Sequence, residues 1–308
     1  MSLKLSRKIK KGGTKKYKDI KKHKIQLHSN SCNPAKSGSE NYSCFNRDAL
    51  IKLRDLWNTK HPDSKITSNV PFDIWNMLRS KFSNVCSSEK CWLKQQFFKN
   101  NLGSEILDYT FAPSAPSTWK NDKNTWLNSD DITKVMKQYE HEYPNFNFIG
   151  PTPMDFDTKL HYGDCVWEEL CRFNLKALLK KRIQKIGIIF NTDNHDKGGS
   201  HWVSAFIDTS ANPTPYFFYF DSNGDKVTSE IKKLADKVIS QAKKLGIDMI
   251  YRDNHNVEHQ LKDTECGIYS LYLISELLTG NKTYDFFMNN IIRDDEMEKF
   301  RKVFFNLK

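Results

Sequence analysis

The chain contains no run of 18 apolar residues and no apolar core behind Met1. A membrane-spanning helix needs about 20 such residues, and a secretory signal needs a shorter apolar stretch near the start. The sequence therefore reads as neither membrane-spanning nor secreted by a standard signal. It has no C-x-x-C, and its cysteines number seven, an odd count. Cys86/Cys91 and Cys165/Cys171 are spaced wrongly for the common zinc sites. In a chain of intracellular character this argues against a disulfide framework and for at least one free thiol. A zinc site built from Cys32, Cys44, Cys86 and Cys91 stays open beside ordinary buried or surface thiols. No internal repeat is visible.

Acidic residues are nearly missing from the first 28 positions, which hold eleven Lys or Arg against Asp19 alone. The whole chain of 308 residues has 48 basic and 37 acidic side chains and a net charge of +11, so 37 and 36 remain for the body. The body is nearly neutral and the basicity belongs to the tail. Such a tail reads as a solvated arm for nucleic acid or another polyanion. The plainer alternatives are solubility, or a nuclear or core address. Residues 1–43 are rich in Lys, Ser, Asn and Gly and poor in large apolar residues, so they are expected to stay disordered.

From Cys44 the composition changes. "FNRDALIKLRDLW" spaces Leu50, Leu53 and Trp57 helically, and "PFDIWNMLRSKF" and "SSEKCWLKQQFF" repeat the style. A helical module is expected up to about residue 104, followed by the Pro/Ser linker "FAPSAPSTW". Residues 44–118 make up this unit, and 119–308 a second domain. It opens with "LNSDDITKVMKQYEHEY", capped by Ser129 or Asp130. Another helical stretch is expected near residues 166–180. Strands are expected at "IGIIFN", "HWVSAFID", "YFFYFDS" and "IDMIYR". "SEIKKLADKVISQAKKLG" places Ile231, Leu234, Ala235, Val238, Ile239, Ala242 and Leu245 on one stripe and ends at Gly246. Helices starting at Cys266 and around "DDEMEKFRKVFF" complete an α+β domain, with a short central sheet under helices.

Cys266 begins an apolar helix. Unpaired N–H groups give a helix N-terminus partial positive charge, so a thiol there ionises more easily, and an imidazolium beside it adds to the effect. The alternative is a packed core cysteine. A cysteine hydrolase also needs a base, an orienter for that base, and oxyanion donors. His201 opens one predicted strand and Asp221 ends another. If those strands are neighbours, the two residues meet at one sheet edge. Gln260 lies in a loop that could bring its amide beside the Cys266 N–H. His255 and His259 are rival bases, and Asp221 could be only a turn residue of "DSNGD".

Together, "HW", then "YFDS", then Gln260 and "CG" at 266–267 resemble the ubiquitin-like-protein-specific (SUMO) proteases and adenovirus-endopeptidase-like enzymes. "PMDFD" at 153–157, "NTDNHDKGGSHWVSAFID" at 191–208, "QLKDTECGIYS" at 260–270 and "DDEMEKFR" at 294–301 bring it nearest to the polyprotein-processing group of African swine fever virus and other large DNA viruses, including giant amoeba viruses. The resemblance covers about residues 125–308. It implies a peptidase domain with Cys266 as nucleophile, His201 as base, Asp221 as orienter and Gln260 as oxyanion donor, and no cofactor. Some viral relatives have asparagine at the position of Asp221. Trp202 would narrow a substrate channel, with Glu265 and Gly267 beside it; cellular deconjugating enzymes usually carry aspartate in place of Glu265. The group cleaves after Gly-Gly, which implies protein substrates, virion precursors first and SUMO-like conjugates as the alternative. A nucleic-acid-binding core protein with a vestigial peptidase domain is a third reading. The implied location is the virion and host cytoplasm. Gly12–Gly13 and Gly198–Gly199 are formal Gly-Gly pairs within the chain.

Overall fold

The computed structural model describes residues 32–36 and 42–307. The basic arm over residues 1–28, with Gly12–Gly13, lies outside the described residues.

The helical periodicity between residues 44 and 104 forms α1 (Arg47–Lys60), α2 (Pro71–Phe82), α3 (Glu89–Trp92) and α4 (Gln96–Lys99), followed by α5 (Ser104–Tyr109). They close around their own core, which includes Leu50, Leu53, Trp57, Ile74, Trp92 and Phe98.

Next come α6 (Ser129–Glu142), α7 (Glu168–Cys171), α8 (Leu175–Lys180), α9 (Ser229–Lys244), α10 (Cys266–Thr279), α11 (Tyr284–Asn289) and α12 (Asp294–Phe304). These helices cover a five-stranded sheet of β1 (Phe146–Pro153), β2 (Lys185–Asn191), β3 (Trp202–Asp208), β4 (Tyr216–Phe220) and β5 (Ile250–Asp253), in that spatial order. The outer pairs β1/β2 and β4/β5 run parallel, and the inner pairs run antiparallel. The architecture is α+β with a mixed sheet, as expected.

All seven residues of β3 are buried because helices cover both faces. Trp202 and Phe206 face the core shared with α6, α10 and α12, whereas Val203, Ala205 and Ile207 face the core shared with α9. Alternation along β3 thus selects between two cores, not between core and water.

Several expectations need correction. β1, "FNFIGPTP", is not among the expected strands; it is an edge strand, where proline is tolerated. Its register shifts between Ile149 and Thr152. Gly150 has φ +113°, and a Cβ there would sit 2.7 Å from the Ile189 carbonyl oxygen, so only glycine fits. α6 is capped by Asn128, in a reciprocal box with Asp131, rather than by Ser129 or Asp130. The Pro/Ser segment is not a free linker. Ala115 N donates to Asn306 O at 2.8 Å, Asn306 N donates to Pro113 O at 2.7 Å, and Trp119 is buried. Proline lacks an N–H but keeps its carbonyl, so the segment can still pair with the chain's last residues. Residues 32–36 fall within the stretch 1–43 expected to stay disordered. They are docked instead: Asn33 N donates to Thr110 O, and Ala35 joins the core under α6.

The cysteine expectation is overturned in part. Cys32–Cys44, Cys86–Cys91 and Cys165–Cys171 form disulfides, and Cys266 alone is free among the described cysteines. The four sulfurs considered for zinc are therefore bonded to one another. Spacing that fails a metal-site test still permits local pairing when the fold brings the two Cα atoms within 5.1–6.2 Å.

Candidate active site

β3 and β4 are neighbours, with Ser204 opposite Phe220, so His201 and Asp221 reach the same sheet edge. His201 Nε2 lies 2.7 Å from Asp221 Oδ1. Asp221 is itself held tightly. Its carboxylate accepts Asn223 N at 2.9 Å, its backbone N–H donates to Asn254 Oδ1 at 2.9 Å, and Asn254 Nδ2 donates back to its carbonyl at 2.7 Å. α10 packs across β3 and delivers Cys266, which is 2 % exposed, to the imidazole. The two side chains lie close enough for Cys266 to act on the His201 imidazole. With Nε2 occupied by Asp221, Nδ1 is the nitrogen left for the sulfur. No side chain caps the N-terminus of α10, so the Cys266 N–H stays available as a donor.

Burial by itself would lower the His201 pKa. The hydrogen bond that His201 donates to Asp221, together with the closeness of Cys266, outweighs burial and raises it to about 10. The imidazole is thus held protonated at neutral pH. His259, a rival base, is pushed down to about 4 by burial and accepts Ile292 N, so it sits neutral inside the core. His255 is exposed and faces the Gly224 carbonyl. Neither takes the place of His201.

Gln260 is buried. Its Oε1 accepts Ser222 Oγ at 2.8 Å, and its Nε2 donates to the Lys262 carbonyl, leaving one amide N–H uncommitted. Ser222 follows Asp221 directly, so one turn anchors both the acid and the amide. Trp202 is 7 % exposed, with its Nε1 on the Leu127 carbonyl at 3.0 Å. It borders a groove of about 550 Å³ together with Trp126, Trp167, Pro151, Pro153 and His201. Gly267 fits beneath this wall: a Cβ there would lie 3.2 Å from Leu127 Cβ and 3.3 Å from Trp202 Cδ1.

Comparison with known proteins decides the family. The Ulp1 protease family, C-terminal catalytic domain, matches residues 132–307. The chain belongs to the Ulp1 protease family. This Ulp1-family chain is 30 % identical over 292 residues to a protein of Acanthamoeba polyphaga mimivirus whose name describes a thiol protease; the match spans 90 % of this chain and 93 % of that one. It is 28 % identical over 260 residues to a protein of African swine fever virus named a SUMO-1 cysteine protease, covering 80 % and 92 % of the two chains. Its fold matches the crystal structure of the African swine fever virus protease with a TM-score of 0.66 at 22 % identity, over 92 % of this chain and 98 % of that one. Membership makes this Ulp1-family chain a cysteine-type peptidase.

Glu265 is a correction. Expected beside the substrate, it is 0 % exposed and locked to Arg301. A carboxylate with no water must find a cation, and α12 supplies one. Sequence reasoning also passed over Asn254, Ser222 and Asp294, because amides, hydroxyls and carboxylates far along the chain carry no local signal. "PMDFD" gains a physical account: Asp155 binds both the backbone N–H and Nδ1 of His195, at 2.9 and 2.6 Å, tying the β2–β3 loop to the end of β1. In that loop Gly199 has φ +88°, and a Cβ would collide with Asn191 at 2.3 Å, so this half of the Gly-Gly pair serves backbone geometry.

The raised His201 value of this Ulp1-family protease gives a pH prediction. Its folded pKa, about 10, exceeds the ordinary 6.5. This contribution to stability is therefore complete below about pH 6.5 and fades as pH rises toward 10. Peptide hydrolysis should keep a flat kcat/KM between about pH 7 and 9, then fall as the imidazolium is lost. In Asp221→Ala the alkaline limb should move to lower pH and turnover should drop ~10²- to 10⁴-fold. An unmoved limb in that variant would show that Asp221 does not govern the imidazole.

Proposed function

We propose that this chain is a viral cysteine endopeptidase that cleaves after Gly-Gly in structural or core protein precursors during virion maturation. The observation that carries the proposal is the hydrogen bond of His201 to Asp221 at 2.7 Å with Cys266 against the same imidazole, beside an open groove. In it the Cys266 thiolate attacks the scissile carbonyl carbon, and the C=O electron pair moves to oxygen. The Cys266 N–H and the free Gln260 amide N–H receive the oxyanion. The C–N bond breaks as His201 gives its proton to the leaving amine. Water then attacks the thioester while His201 takes a proton, releasing the carboxylate and restoring the thiolate–imidazolium pair. The tryptophan-lined groove supports a preference for residues without side chains at the cleaved bond. The viral relatives support the viral setting.

A second reading is removal of SUMO or a related modifier, favoured by the name of the African swine fever virus relative. Incubating the protein with virion precursors containing Gly-Gly and, in parallel, with SUMO conjugates separates the two. Cleavage of conjugates alone would replace the first reading by the second. A vestigial domain predicts that neither is cut. Gln260→Ala should lower turnover about 10²- to 10³-fold while alkylation of Cys266 persists. Loss of alkylation as well would remove Gln260 from the oxyanion role.

A further inference from the structure

α12 touches neither the groove nor the reacting atoms, yet it carries two buried charges, Asp294 and Arg301. Seven residues, or two helical turns, separate them, so they lie on one face of the helix. That face meets the two chain segments that carry the candidate oxyanion donor and the nucleophile.

Asp294 Oδ2 accepts the backbone N–H of Leu261 at 3.0 Å and of Lys262 at 3.1 Å. The Lys262 carbonyl in turn receives the Gln260 amide. Tyr269 of α10 brings its hydroxyl to 3.3 Å from Asp294 Oδ1, joining the loop, α10 and α12. Arg301 uses every donor it has. Nε reaches Glu265 Oε2 at 2.9 Å and Oε1 at 3.0 Å, and Nη2 reaches Glu265 Oε1 at 2.7 Å and Thr264 O at 3.0 Å. Nη1 spans the Lys123 and Thr125 carbonyls, each at 3.0 Å. Thr264 and Glu265 immediately precede Cys266, and the Glu265 carbonyl accepts the first helical N–H bond of α10, from Tyr269.

We infer that α12 holds both halves of the candidate site in register: Asp294 is a positioning residue for Gln260, and Arg301 is a positioning residue for Cys266. The inference rests on the reading of Gln260 as oxyanion donor. The physical reason is reach. Gln260 sits in an irregular loop held on one side by Ser222, whose carbonyl accepts Gln260 N at 2.9 Å, and on the other by Asp294; a displacement of about 1 Å at a reacting group can cost 10²-fold. An ionised acceptor on two consecutive N–H groups, and a five-donor fork on the turn before the nucleophile, remove that freedom.

The two arms leave different kinetic signatures in the full-length chain, read as peptide kcat and KM and as the rate of Cys266 alkylation by iodoacetamide. Asp294→Ala should lower kcat about 10- to 100-fold with KM and alkylation nearly unchanged, and Asp294→Asn should lose only about threefold because it keeps a neutral acceptor. In a Gln260→Ala background, Asp294→Ala should add less than about twofold, since its effect passes through Gln260. Arg301→Lys should slow alkylation and turnover together, about tenfold, because a point charge cannot reproduce the fork. If Asp294→Ala does not fold, the same cycle with Asp294→Asn decides, its threefold loss vanishing beside Gln260→Ala. Multiplicative losses in the double variant, full activity in Asp294→Ala, or alkylation untouched in Arg301→Lys would overturn the inference. A Gln260→Ala enzyme with wild-type turnover would instead overturn the oxyanion reading on which it stands.

Discussion

Cys266→Ser should abolish peptide cleavage, at least ~10⁴-fold, in a protein that melts like the wild type. Oxygen replaces sulfur at a site that is 2 % exposed, so the change in volume is small. What changes is ionisation. A hydroxyl gives up its proton far less readily than a thiol, so the attacking group is lost. His201→Ala should cost nearly as much, since it removes both the pairing cation and the proton donor for the leaving amine. Turnover of a Gly-Gly peptide and thermal melting, measured on the same preparations, check this. Wild-type cleavage by Cys266→Ala would end the assignment of Cys266 as nucleophile.

The largest loss of stability should come from Arg301→Met, about 3–5 kcal/mol. Glu265 is fully buried and Arg301 is 5 % exposed. Removing the guanidinium leaves a carboxylate with neither water nor cation, and strips a donor from the carbonyls of Lys123, Thr125 and Thr264. Arg301 also lies over the Trp119 ring, at 4.5 Å, so the Pro/Ser segment should loosen with it. Adding Glu265→Leu should recover part of the loss but not all, because the Lys123 and Thr264 carbonyls still lack the guanidinium donor, whereas the Thr125 carbonyl keeps Trp119 Nε1. Urea unfolding of the single and double variants measures both steps. Equal stability of Arg301→Met and wild type would mean that water reaches Glu265 and that the pair is not the buried anchor described above.

The long amphipathic helices and the inner strands were legible because their signal is local. In α9 the stripe residues Ile231, Leu234, Ala235, Val238 and Ala242 are buried as their spacing demands, with Ile239 half-buried, and Gly246, at φ +75°, follows the end of the helix. The opposed phases of Trp202 and Val203 divide between two cores. His201, Asp221 and Cys266 could be named from the sequence because each stands at the end of an element, where a side chain reaches a sheet edge. Their meeting was conditional on β3 and β4 being neighbours, which only the register settled.

What the sequence determined by itself is therefore the set of elements and the chemical types at their ends: an aromatic strand ending in aspartate, a strand opening after histidine, an apolar helix opening on cysteine. Tertiary structure alone decided where Glu265 goes, which cysteines pair, and what holds Gln260. Glu265 and Arg301 are 36 residues apart, Leu261 and Asp294 are 33 apart, and Asp221 and Asn254 are 33 apart. Helical and strand periodicity reports on neighbours within a turn or two. A buried charge or an unpaired backbone group is satisfied by whatever partner folding brings within about 3 Å, and distance along the chain says nothing about that.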